Sequence, residues 1–404
     1  MTTEVNRAYL DHIRRWSRPS PSFRARVQAG VRLVLRLLLV PLTLLAGVGL
    51  VVGLRIAEIR RPPIARGSIH DEALTLVDSF VEQYPMHLYP LVAKALELAY
   101  VNRRLDSLLR QDSSIVEVAI GEGTLSARIF NESHRVTGLD LNPHSLAKAA
   151  KLPHVGRAIV SDGLHPPIHP GAFDLLLSLN FLHHITDKRT TVVNWTSIAQ
   201  VSLFNENTTY WATGWPIPYV LRQLGLARAA NRYANQIELK SIQNLLDRAA
   251  LGREVRAVAA VREETSFLSE RTFFLCGLFS FLMLCYGPPT PAAVKSLLLG
   301  VLRPLALPLT SKLARRLLTF DAHQDRTKDT FVFFECDGRI RQSLATGDLV
   351  CPRCGASLSG SACGRCGASY PSADGMLFLL PPQLAYVFED YSRHEAAAVP
   401  AEHL

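Results

Sequence analysis

Cysteine is scarce along most of this chain. Seven occur in 404 residues, and four of them, Cys351, Cys354, Cys363 and Cys366, crowd into one short stretch. Cys276 and Cys285 sit in an apolar run and Cys336 in an expected strand. That distribution excludes a secreted disulfide framework. It points to one metal site in a reducing compartment, with buried thiols elsewhere. Charged residues are also few, 20% against 48% hydrophobic, which excludes a disordered polyelectrolyte and leaves a globular protein with room for two or three domains. Long apolar runs are few and short. No nucleophile–base–acid set for acyl transfer is evident.

The charge that is present is mostly positive, with a formal net of +9. A basic balance suits nucleic acid or an anionic membrane surface, and does not choose between them. Eight arginines (Arg7, Arg14, Arg15, Arg18, Arg24, Arg26, Arg32 and Arg36) precede an apolar run from Leu37 to Leu54 that contains Pro41 and Gly47. Arg55, Arg60, Arg61 and Arg66 follow it. The run has about the minimum length for a spanning helix. A cleaved signal peptide is not expected, because the basic region is too long and no cleavage site follows. With both flanks basic, both belong on the cytoplasmic side, so the segment reads as a helix that dips in and returns or lies in the interface. The alternative is a buried core helix.

Apolar spacing in Ala73, Leu74, Leu76, Val77 and Phe80, and again in Leu91, Val92, Ala95, Leu96 and Leu98, predicts a helical lead-in over 71–112. Short apolar strands then alternate with helices. Strands are expected at Ile115–Val118, Val136–Asp140, Ala158–Asp162, Phe173–Leu179 and Thr208–Thr213, with Val255–Val261 and Thr330–Glu335 closing the set. Helices are expected at Ser145–Lys151, Thr190–Val201 and Glu238–Ala250. The alternation predicts an α/β fold, a doubly wound, mostly parallel sheet of seven strands. An insertion over about 265–327 holds two apolar arms, Phe273–Tyr286 and Ser296–Leu309, around a Gly287–Pro291 turn. Each arm is roughly 21 Å long as helix, short of a ~30 Å hydrocarbon core. The pair reads as a shallow hairpin that dips into a membrane or as a lid, with Lys312, Arg315 and Arg316 placed for lipid headgroups.

The first strand runs into Glu117-Val118-Ala119-Ile120-Gly121-Glu122-Gly123, and the second ends at Asp140, about twenty residues after the glycines. Glycines there let a backbone approach a ligand closely, and an acid at the end of the second strand can accept from both hydroxyls of a ribose. A third acid, Asp162, precedes Gly163, and the fourth strand leads into Asn180-Phe181-Leu182-His183-His184. A nicotinamide-dependent dehydrogenase shares the turn and the ribose acid.

Over roughly 113 to 260 the chain resembles the class I S-adenosylmethionine (SAM) dependent methyltransferases, in particular their small-molecule branch. The family's first motif, acid-x-Gly-x-Gly-x-Gly, is met by Glu117, Gly121 and Gly123, with Ala119 in place of the first glycine. The resemblance implies that the Gly121–Gly123 turn holds the carboxypropyl end of SAM and that Asp140, followed by Leu141, binds its ribose. It implies further that Asp162 and Gly163 flank the adenine and that Asn180 lies beside the methionine part. His183 and His184 are the nearest candidates for a base, needed only if the acceptor must lose a proton. The Asn/Asp-Pro-Pro-aromatic run of nucleic-acid amino methyltransferases is missing from Ser178-Leu179-Asn180-Phe181.

Cys351-Pro352-Arg353-Cys354 and Cys363-Gly364-Arg365-Cys366 form two knuckles that can set four thiolates around one ion, zinc by default. With Tyr370-Pro371-Ser372-Ala373-Asp374-Gly375 behind them, they resemble the small zinc-ribbon proteins that activate methyltransferases. The expected organisation is a basic segment 1–70 with a membrane-associating helix 37–54, a lead-in 71–112, a methyltransferase domain 113–337, a zinc ribbon 345–382 and a tail 383–404. The expected activity is methyl transfer from SAM to a lipidic or membrane-presented small molecule at the cytoplasmic face of a membrane. An RNA methyltransferase and a non-catalytic scaffold are the alternatives.

Overall fold

The computed structural model describes residues 45, 48–50, 52–56, 63–84, 87–110, 112–213, 215–230, 245–282, 292–339 and 348–398. Two helices lead in: α1 (Ile69–Val81), whose first turn is capped where Ser68 Oγ accepts from Asp71 N, and α2 (Leu88–Leu108). The alternating part follows as β1 (Ile115–Val118), α3 (Ser126–Ile129), β2 (Val136–Asp140), α4 (Pro143–Ala149), β3 (Val155–Val160), β4 (Phe173–Leu179), α5 (Lys188–Ile198) and β5 (Ala199–Asn207). Then come α6 (Thr209–Thr213), α7 (Pro216–Gln223), α8 (Arg248–Arg256), β6 (Ala260–Ser269), α9 (Glu270–Leu282), α10 (Ala292–Asp321) and β7 (Asp329–Asp337). The chain ends in β8 (Ser372–Ala373), β9 (Met376–Phe378) and α11 (Tyr386–Ala398).

The strands lie in the order β6-β7-β5-β4-β1-β2-β3-β9-β8. β3, β2, β1, β4 and β5 run parallel, and β7 is antiparallel to both β5 and β6. Strand alternation sorts the side chains onto two faces. Ile115, Leu175, Leu177, Leu203 and Phe333 face α1, α2, α9 and the latter half of α10. Val116, Leu176, Phe204 and Phe334 face α5, α8 and the cysteine-rich segment.

The sheet has nine strands, not the expected seven. The extra two come from the C-terminal ribbon, where β9 lies parallel to β3, pairing Ala158–Val160 with Met376–Phe378. An edge strand carries unpaired backbone groups, and here those of β3 are satisfied in cis. Arg157 makes a two-pronged pair with Asp348 at 2.8 and 2.6 Å, and Val350 N donates to Pro167 O at 3.0 Å. Met376 and Phe378 share a buried cluster with Leu146, Val160, Val387 and Tyr391, so part of the expected tail is helix α11, packed against α4.

Three other boundaries differ from expectation. The fifth strand is Ala199–Asn207, and Thr209–Thr213 is helical. β5 is buried almost throughout but carries Ser202, Asn205, Glu206 and Asn207, so no hydrophobic pattern marks it. The sixth strand begins at Ala260, because Leu251, Gly252 and Val255 form the buried face of α8. β6 is a sheet edge, and its charges are paired there, Arg262 with Asp337 and Arg104 with Glu263. The second arm of the insertion runs unbroken as α10 through Pro304 and Pro308 to Asp321. Leu313, Ala314, Leu317 and Leu318 are fully buried against the lead-in helices, and that packing outweighs the proline penalty. Arg315, expected near lipid headgroups, is engaged within the protein. It pairs with Asp78 at 2.7 Å and donates to Leu74 O, tying α10 to α1.

Most of the Leu37–Leu54 run and the Gly287–Pro291 turn lie outside the described residues. Within the run Leu54 is buried in the core, whereas Leu45, Val48, Val52 and Ile56 are exposed. Among the described residues no helix is long and apolar enough to cross a membrane.

Candidate active site

In a parallel sheet the ends of the strands open onto one rim, and here β1, β2, β3, β4 and β5 deliver their functional residues to it. β1 ends in a tight turn. Ala119, Gly121 and Gly123 all have positive φ, 59°, 58° and 70°. At Gly123 a Cβ would stand 3.3 Å from Ala149 Cβ of α4, and the positive φ favours glycine there. The turn closes on β2, with Gly121 N donating to Asp140 Oδ2 at 2.8 Å and Asn142 N to Asp140 Oδ1 at 2.7 Å. Burial pushes the Asp140 carboxyl upward, and those two N–H groups work against it. A carboxylate offers about four lone-pair directions, so two remain for a ligand.

Asp162 follows β3, accepts from Leu164 N at 3.0 Å, and has its carboxyl raised by burial. A Cβ on Gly163 would lie 3.0 Å from both Phe181 Cζ and Val118 Cγ1. Asp140, Leu141, Asp162 and Gly163 line one narrow cleft with Ala119, Phe181 and Ile185. The last three were not singled out from the sequence. Glu117 does not line the cleft. It is buried beneath the turn, burial pushes its carboxyl up to about 7, and its Oε2 has no hydrogen-bond partner among the described residues.

Asn180, at the end of β4, has φ 59°. Its backbone N donates to Asn205 Oδ1 at 2.6 Å and its Nδ2 to Glu97 Oε1 at 2.5 Å, while its buried Oδ1 has no partner among the described residues. Asn205 Nδ2 also donates to Glu97 Oε1, and Lys94 Nζ holds Glu97 Oε2 at 2.5 Å. Glu97 therefore reaches from the lead-in helix to the catalytic rim. Its signal in the sequence was a carboxylate set between Leu96 and Leu98 on an apolar helix.

His183 and His184 form a 3-10 turn with rings 4.1 Å apart. His183 is buried, and its Nδ1 lies 2.6 Å from Glu206 Oε1 on β5. Glu206 Oε1 also accepts from Asn207 N at 2.6 Å. A carboxylate at Nδ1 fixes the tautomer that leaves Nε2 basic. Lys188 is buried alongside, its ammonium pushed down to about 8 by burial and partly restored by Glu206 and Glu254. β5 is two strand spacings from β1, about 10 Å, so the His183–Glu206 pair stands beside the cleft rather than in it. His169 is held by the cysteine-rich segment, 2.7 Å from Ser357 Oγ.

The four cysteines come together. All four Sγ atoms lie within 4.8 Å of one another, with Cys351–Cys366 and Cys354–Cys363 each at 3.6 Å. Four thiolates about 2.3 Å from a tetrahedral zinc sit about 3.8 Å apart, so the set fits that ion. After each knuckle a glycine with positive φ turns the chain back, Gly355 N donating to Cys351 O and Gly367 N to Cys363 O.

Residues 116–200 match the family model of a methyltransferase domain. That match covers the turn, Asp140, Asp162, Asn180 and both histidines. Among curated proteins, the ubiquinone biosynthesis O-methyltransferase of Cronobacter sakazakii is 29% identical over 105 residues, 24% of this chain and 41% of that protein. The protein of the same name from Pectobacterium carotovorum is 26% identical over 105 residues, 24% of this chain and 42% of that one. The chain thus spans about two fifths of the length of the curated relatives it matches. Among solved structures, a Galdieria sulphuraria protein assigned as a sarcosine dimethylglycine methyltransferase aligns with a TM-score of 0.40 at 9% identity, over 66% of this chain and 100% of its own.

Proposed function

We propose that this protein is a SAM-dependent methyltransferase that methylates a lipophilic small molecule presented at the cytoplasmic face of a membrane. The observation that carries the reading is the closure of the Ala119–Gly123 turn on Asp140, with Asp162 and Gly163 across the same cleft. Asp140 has lone pairs left for ribose hydroxyls, and Leu141, Phe181 and Ile185 offer apolar contact to an adenine beside Asp162. Two buried acceptors without partners among the described residues, Glu117 Oε2 and Asn180 Oδ1, suit a ligand that brings donors, as an α-ammonium does. When bound, SAM supplies an electrophilic methyl group on a sulfonium.

The residues of the chain then align the acceptor and manage its proton. The curated relatives are named for oxygen methylation. A hydroxyl acceptor must lose a proton, and His183, oriented by Glu206, takes it at Nε2. The lipophilic acceptor is supported by those names and by the apolar residues left exposed near the insertion, Val220 and Leu224 of α7 and its C-terminal turn, together with Leu45, Val52 and Ile56. Zinc, held by Cys351, Cys354, Cys363 and Cys366, serves structure, because all four positions of a tetrahedron are filled by thiolates.

The test pairs SAM calorimetry on the wild type and Asp140→Ala with labelled SAM and a membrane extract. The expected result is SAM binding lost in the variant and label recovered in the organic phase. Absence of SAM binding by the folded wild type overturns the methyltransferase, and label only in water-soluble products overturns the lipophilic acceptor.

A further inference from the structure

A second hollow, of about 190 Å³, opens at the root of the insertion, where β6 passes into α9 and α10 returns to β7. It lies at the same rim of the sheet as the cofactor cleft but four strand spacings from β1, about 19 Å, so it is a separate site.

The lining is polar and carries two cations, Arg271 and Lys328, and two acids, Glu270 and Asp325. Arg271 and Lys328 face the hollow, and neither makes a hydrogen bond or ion pair among the described residues. Its acids are already engaged. Glu270 is paired with Arg222, and Asp325 accepts from Thr327 N at 3.0 Å and Thr327 Oγ1 at 2.8 Å. With Glu270 met by Arg222, Arg271 and Lys328 outnumber Asp325, the acid that both of them act on, and Tyr219 and Gln223 of α7 complete one wall.

That wall has a second side. The same short helix exposes Ile217 and Val220, and Leu224 and Leu226 just beyond it are also exposed. A polar, cationic hollow is thereby rimmed by uncovered apolar surface. A cluster of aromatic rings joins the helix of that wall to α9. Half-buried Tyr89, Trp211 and Trp215 stand around buried Phe273, whose ring is 4.7 Å from that of Tyr89 and 5.7 Å from that of Trp215.

We propose that the hollow binds the phosphate-class anionic head of an amphiphile, whose apolar part lies over the α7 face and the aromatic cluster. The proposal rests on the methyltransferase reading for its purpose, since it makes the hollow an anchor that holds the acceptor at the rim. Arg271 and Lys328 bind and position in this scheme and take no part in methyl transfer.

The experiment is calorimetric titration of the full chain with dodecyl phosphate, inorganic phosphate and uncharged dodecyl maltoside, alongside SAM. The wild type is compared with Arg271→Gln/Lys328→Gln. Dodecyl phosphate should bind at least roughly tenfold tighter than inorganic phosphate and weaken by roughly 10–100-fold in the double variant, with SAM affinity unchanged. Equal binding of dodecyl phosphate by wild type and variant, or equal binding of dodecyl maltoside, overturns the proposal. Inorganic phosphate binding as tightly as dodecyl phosphate overturns the amphiphile and assigns the hollow to a free anion. Dodecyl phosphate binding without any SAM binding leaves the hollow standing and removes the methyltransferase reading instead.

Discussion

Glu206 Oε1 lies 2.6 Å from His183 Nδ1, and both side chains are buried at the ends of adjacent parallel strands. If the pair prepares a base, Glu206→Gln should lower kcat for a hydroxyl acceptor by about 10–100-fold while SAM affinity stays within about threefold. Steady-state kinetics with calorimetric SAM titration separates the two. Equal losses in kcat and in SAM affinity would assign the pair to scaffolding.

Asp140 holds the Gly121 turn and keeps lone pairs for a ribose. Asp140→Asn retains the shape but loses the charge and one acceptor. SAM affinity should fall by about 10–100-fold, as expected for hydrogen bonds to an ionised group. Thermal unfolding of the same variant checks that the fold persists.

Cys363→Ser removes one of four clustered thiolates. Metal content should drop from about one zinc per chain to none, and the thermal midpoint should fall, because metal binding and ribbon folding are coupled. Hydrogen exchange should rise at Ile159 and Val160, where β9 covers β3. Metal analysis showing zinc retained at full occupancy would contradict the assignment.

Ala119 adopts φ 59° where the resembled motif has glycine. A left-handed residue with a Cβ is strained by about 1–2 kcal/mol, partly offset by the chain entropy that alanine saves. Ala119→Gly should therefore stabilise the protein by about 0.5–1 kcal/mol in urea unfolding, without loss of SAM affinity.

Asp329 is buried with Oδ2 unpartnered among the described residues, and burial pushes its carboxyl up to about 7 against the pull of Arg326 and Arg248. Between the ordinary aspartate value near pH 4 and pH 7 the folded protein keeps a proton that the unfolded chain has lost. This group's contribution to stability thus falls as pH rises through that window. Asp329→Asn should gain about 2 kcal/mol relative to wild type on going from pH 5 to pH 8, measured by urea unfolding. A constant difference across that range would show that the carboxyl is ionised throughout.

The cleft that gathers Asp140, Leu141, Asp162 and Gly163 was legible because it is written locally. The Glu117–Gly123 turn, Asp140 and Asp162 each sit at the end of a strand that burial and brevity make visible. The cysteine cluster was legible from spacing alone. Glu206 and Asn205 were not, since their strand buries polar residues that disguise it as helix and loop. Glu97 was hidden by distance, because nothing in a helical period tells which residue will meet Asn180. The pairing of β9 with β3 was equally invisible, as two residues of one strand and three of another carry no pattern. The reach of α10 through two prolines shows tertiary packing prevailing over local propensity.

The seating of β9 on β3 has a consequence in time. β3 leaves the ribosome well before its partner, so until the partner emerges the Ala158–Val160 edge waits uncovered for Met376–Phe378. A contact so distant in sequence forms slowly, and an open edge strand is exposed to aggregation until it does. With zinc held as proposed, metal supply becomes a factor in the yield of folded protein, because the cysteine-rich segment that carries β9 must be built before the nascent sheet can be closed.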